Sequence, residues 1–77
     1  MSLRSKQDEQ SLKDFGKRFA EVRKAKNITQ QDLAVDTNLS VVAIGYIETG
    51  KRWPRIGTLH KLARAMGVKL EDLFKGL

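Results

Sequence analysis

Cysteine is absent from this chain of 77 residues, and histidine occurs once. The first absence excludes disulfides and a thiolate-ligated zinc, and the second leaves His60 unable to assemble a histidine metal site, so ordinary packing must hold the fold. No apolar run approaches the length of a membrane span. No secretory pattern stands at the amino terminus, which is polar from Ser2 to Lys13. Alternating strand patterns and internal repeats are missing too. One histidine and scattered carboxylates offer no set of nucleophile, base and orienting group, so an enzyme is not expected. What remains is one small domain, expected in the cytoplasm, with no membrane partner, cofactor or small-molecule ligand indicated.

Charge of one sign is missing over long stretches. Residues 51 to 69 carry six basic side chains and none acidic, whereas residues 27 to 50 carry no Lys or Arg. Six more basic side chains, with two acidic ones, lie between residues 13 and 26, so two basic segments flank a middle whose only charges are Asp32, Asp36 and Glu48. The formal net charge of +6 suits a polyanion such as DNA or RNA. Taken singly, each Lys or Arg is more simply a solvated helix-face residue; the argument rests on their grouping.

Apolar spacing defines the elements. Residues 1–10 have no apolar period and read as a flexible tail or a frayed helix extension, with the domain expected over residues 11–77. Ser11 with Asp14 resembles a capping box, and Leu12, Phe15, Phe19 and Val22 recur at helical spacing, which predicts a helix to about Lys26. Thr29 with Asp32 opens a second helix that turns Leu33 and Ala34 inward and ends near Thr37. Asn38 tolerates a left-handed turn. Ser40 caps a third helix to about Thr49, with Ile44 and Ile47 inward, and Gly50 stops it. Leu59, Leu62, Ala63 and Met66 mark a fourth helix closed by Gly67, and a short fifth is expected from Leu70 to Lys75. The fold class is all-α.

The stretch ITQQDLAVDTNLSVVAIGYIETGKRWP, together with LHKLARAMGVKLEDLF, resembles the helix-turn-helix domain of phage Cro and repressor proteins, the XRE family. The match lies in ThrGln opening the second helix, LeuAla within it, Ser starting the third, IleGlu and Gly closing it, Pro in the next loop, and the AlaMetGlyVal and LeuGluAspLeuPhe close. The resemblance implies a compact five-helix lambda-repressor-like domain that regulates transcription. Two copies would place their third helices in successive major grooves of a pseudo-palindromic double-stranded DNA site.

Carried over position by position, the resemblance puts Val41, Val42, Gly45 and Tyr46 at the base-reading positions, and Gln30, Ser40, Lys51, Arg52 and Arg55 at phosphates. Two valines cannot form the paired hydrogen bonds that recognise guanine or adenine, but their methyls can pack against the thymine methyl. Tyr46 either meets DNA through its hydroxyl or packs along the helix; Gly45 either permits close approach to DNA or serves a tight helix crossing. Arg55 stands after the Pro where relatives commonly carry a capping Ser, and either enters a narrow minor groove or is a solvated loop residue. Trp53 either anchors the loop or lies on the DNA backbone.

The resemblance further pairs Glu48 with Arg23 as a partly buried structural ion pair. It also assigns the surplus apolar residues Leu70, Leu73, Phe74 and Leu77 to a homodimer contact, the alternative being that all four complete the monomer core. A competing function is a protein-interaction module of antitoxin or adaptor type, using the apolar surface of the third helix.

Overall fold

The computed structural model describes residues 6–77, which form four α-helices and a closing 3-10 helix, with no strand among the described residues. The helices are α1, Lys6–Ala25; α2, Gln30–Thr37; α3, Val41–Glu48; and α4, Ile56–Met66; the 3-10 helix spans Leu70–Phe74. The architecture is all-helical, as the spacing implied.

Each α-helix stops by the same device. Asn27, Asn38, Gly50 and Gly67 all adopt left-handed backbone, with φ of 58°, 58°, 72° and 69°. In each case the next amide reaches back to the helix: Ile28 to the Arg23 carbonyl, Leu39 to Ala34, Lys51 to Tyr46 and Val68 to Ala63, over 2.9 to 3.2 Å. These bonds satisfy carbonyls that the helix end would otherwise orphan. Ile28, Leu39 and Val68 then fold against the core, so three of the four stops are also packing anchors.

Two element boundaries differ from the sequence reading. The described part of α1 opens at Lys6 and runs through Ser11 without a cap there, so residues 6–10 follow the helix-extension alternative and not that of a flexible tail. Residues 1–5 of that tail lie outside the described residues. Lys, Gln and Glu propagate a helix without needing an apolar face, and Asp8 and Glu9 favour its positive end. Asp14 receives a hydrogen bond from Gln10 Nε2 at 2.9 Å instead of capping. The last element is a 3-10 helix that ends at Phe74, one residue before the expected Lys75.

The core gathers Phe15, Phe19, Leu33, Ile44, Leu62 and Leu73, all fully buried, from every element. α3 packs on α1 and α2, α2 also packs on α4, and the 3-10 helix closes against α1 and α4. The crossing of α1 and α3 is unusually close at Gly16: a Cβ there would lie 2.6 Å from the carbonyl oxygens of both Ile47 and Glu48. Gly50 is similarly confined, since its Cβ would lie 2.8 Å from the Lys13 Cα, and its φ of 72° already favours glycine. At Gly45, in contrast, an added Cβ meets nothing within 4 Å. The tight crossing considered for Gly45 is therefore made by Gly16.

Gly16→Ala is expected to lower stability by about 1–3 kcal/mol, because carbonyls rather than flexible side chains must move. Gly45→Ala should raise it by roughly 1 kcal/mol through helix propensity alone. Urea unfolding of the two variants checks the contrast, and equal effects would contradict the close crossing at Gly16.

Candidate nucleic-acid interface

The surface formed by α2 and α3 is registered by a buried pair of charges. Arg23 Nε donates to Glu48 Oε2 at 2.6 Å and Nη2 to Oε1 at 3.1 Å, with the two side chains only 10% and 8% exposed. Nη1 donates to the Ile28 carbonyl at 2.8 Å, and Gln30 Nε2 donates to Glu48 Oε1 at 3.0 Å. One carboxylate thus joins the end of α1, the first residue of α2 and the last residue of α3. The planar guanidinium fork suits this geometry in a way that a Lys ammonium does not.

Gln30, assigned to phosphate, is held by this network; one amide hydrogen is committed to Glu48 and the other is left for a second acceptor. α2 itself starts with a reciprocal cap, Asp32 N–H to Thr29 Oγ1 at 3.0 Å and Thr29 N–H to Asp32 Oδ2 at 3.4 Å. Ser40 Oγ accepts the Ala43 amide at 3.0 Å, which caps α3 and leaves the hydroxyl proton as a donor.

α3 is apolar on both sides. Ile44 and Ile47 are buried, yet Val41, Val42 and Tyr46 remain 43%, 61% and 42% exposed along the outer edge, with Gly45 between them. Exposed apolar residues grouped on one helix face are the kind of surface through which contacts are made. Lys51, Arg52 and Arg55 are exposed just beyond it. The Arg52 guanidinium carbon lies 5.8 Å from the centroid of the Tyr46 ring. Arg55 occupies the N-cap of α4 and makes no side-chain capping bond, since a guanidinium has no acceptor to offer the free amides of the helix. Trp53 sits 5.3 Å, ring to ring, from the buried Phe15 while staying 41% exposed, so it anchors the loop through one face. Trp53, Pro54 and Thr58 line a cleft with Leu39, Ala43 and Ile47, and both Arg52 and Arg55 border it.

The residues assigned to the dimer contact separate. Leu73 is fully buried in the monomer core and offers no surface, which corrects its assignment. Leu70 is half-buried against the same core. Phe74 lies 5.0 Å from the Phe15 ring and is 39% exposed, and Leu77 is 58% exposed. The sequence reading missed Ile56, which is 63% exposed. It stands three residues before Leu59 and looks like core by period, but the first residue of α4 projects past the core. His60 is exposed, and among the described residues no cluster of His, Asp or Glu is arranged to hold a metal.

The sequence model of the helix-turn-helix family matches residues 19–73. An uncharacterised HTH-type transcriptional regulator of Bacillus subtilis is 38% identical over 63 residues, covering 80% of this chain and 45% of that protein. Another, from Sinorhizobium fredii, is 34% identical over 58 residues, which are 75% of each chain. The chain therefore spans less than half the length of the first relative and three quarters of the second. Among solved structures, a restriction-modification controller protein from Aeromonas hydrophila is similar with a TM-score of 0.81 and 34% identity, over 84% of this chain and 98% of that one.

Removing the charge from one partner of the buried pair strands the other. Glu48→Gln is expected to destabilise by roughly 3 kcal/mol, a fall in melting temperature on the order of 12 °C or more for a domain of this size. Circular dichroism melting checks this, and an unchanged midpoint would mean that the pair contributes no stability.

Proposed function

This chain belongs to the XRE-type helix-turn-helix family, a family of DNA-binding transcription regulators and not of enzymes, and we propose that it binds a pseudo-palindromic duplex as a homodimer with α3 of each copy in the major groove. One observation carries this reading: the outer edge of α3 is exposed and wholly without positive charge, while Lys51, Arg52 and Arg55 are exposed immediately beyond it. Positioning and reading are thereby divided between neighbouring segments. The loop cations hold phosphates. Val41 and Val42 pack on thymine methyls, and Gly45 keeps the helix surface low between them and Tyr46.

Neutral donors complete the phosphate contacts: the free amide hydrogen of Gln30 and the hydroxyl of Ser40. Because Gln30 is held by Glu48, that contact keeps a constant distance from α3. The homodimer uses Phe74 and Leu77, with Leu70 at the margin. The place of action is the cytoplasm; no helix of the described residues is long and apolar enough to cross a membrane.

Selection of binding sites from random duplex DNA tests the proposal, and the selected duplex then allows two measurements. Lys51→Ala should weaken binding to every sequence alike and reduce the slope of log affinity against log salt by roughly 1. Val42→Ala should lower affinity on the order of 1 kcal/mol only where thymine is read, and replacing that thymine by uracil should reproduce the loss. If valine variants leave DNA affinity untouched and abolish a protein complex instead, α3 is an interaction surface of adaptor type.

The dimer has its own test. Sedimentation at tens of micromolar, by order of magnitude, with and without the selected duplex, should find two copies, and Leu77→Glu should return the protein to monomer without unfolding it. Monomer alone in both conditions would exclude the homodimer.

A further inference from the structure

We infer that Tyr46 is a positioning residue for Arg52: its ring holds the guanidinium over α3, so that a helix lacking positive charge acquires one on its reading side. The inference rests on the DNA-binding reading above and extends it from contact to specificity of placement. The guanidinium carbon stands 5.8 Å from the ring centroid, within the range of a cation–π contact. The backbone brings this about. The Lys51 amide donates to the Tyr46 carbonyl at 2.9 Å, and Gly50, at φ 72°, turns the chain back, so Arg52 leaves the loop next to the residue whose ring it meets.

No ion pair ties Arg52 to a carboxylate of the described residues, which leaves the ring as its holder. A guanidinium over an aromatic face keeps its edge N–H groups free, and these are the groups that bind phosphate or a base edge. Tyr46 thus acts through Arg52, and its hydroxyl is dispensable for that action.

In the unbound protein, ring current should move the Arg52 side-chain proton resonances upfield; Tyr46→Leu should abolish that displacement and Tyr46→Phe should keep it. On the selected duplex, the penalty of Arg52→Ala should shrink about two- to fivefold in the Tyr46→Leu background, the worth of an exposed cation–π contact. In the Tyr46→Phe background the penalty should return in full, and Lys51→Ala should cost the same in all three. An Arg52→Ala penalty independent of residue 46, or absence of the upfield displacement, overturns the pairing while leaving the DNA-binding reading intact. Failure to select any duplex overturns that reading and the placement role with it.

Discussion

The ion pair between Arg23 and Glu48 is the constraint to which the working surface is tied. α2 and α3 have eight residues each, too few to be stable helices on their own, so their geometry comes from what holds their ends. Glu48 closes α3 and receives hydrogen bonds from α1 through Arg23 and from α2 through Gln30. A buried pair of this kind gives little net stability compared with packed apolar side chains, but its hydrogen bonds tie the three segments together at one carboxylate. The Gly16 crossing is set against the same end of α3, where backbone meets backbone at Ile47 and Glu48. Charge and close contact therefore register α3 at one point from two directions.

From that point outward the chain separates apolar from charged surface. α3 buries Ile44 and Ile47 and leaves Val41, Val42 and Tyr46 largely in solvent, so it is apolar on both faces, with the Arg52 guanidinium over the Tyr46 ring on the outer one. The positive charge begins only after the Gly50 turn. On the proposed reading, this arrangement lets methyl groups read bases while cations that do not discriminate sequence hold the backbone. Phe15 links the loop to the carboxyl end, since Trp53 and Phe74 lie against it at 5.3 and 5.0 Å.

Much of the fold was legible because its signals are local. Asn38, Gly50 and Gly67 mark helix stops through their tolerance of left-handed backbone, and Ser40 and Thr29 mark starts through side-chain oxygens that reach their own amides. The inward residues of all four helices followed from a repeat of 3.6. Residues 6–10 were legible only as two alternatives, tail or helix extension, because they form an exposed stretch with no apolar face to decide between them. Leu73, read as dimer contact or core, proved to be core, and the exposure of Ile56 was not read at all, since residues at the edge of a core are sorted by packing and not by period.

By itself, then, the sequence determined an all-helical chain, the stops between its helices, an uncharged α3 between basic segments, and the helix-turn-helix resemblance, because each is written in residues close together in the chain. Tertiary structure decided what depends on distance between segments: that Gly16 rather than Gly45 is the crossing glycine, that Gln30 joins the Arg23 and Glu48 pair, and that Arg52 stands over Tyr46. Linear spacing cannot encode these contacts, because they arise only when helices far apart in sequence pack at one angle and the turn at Gly50 aims the loop back along α3.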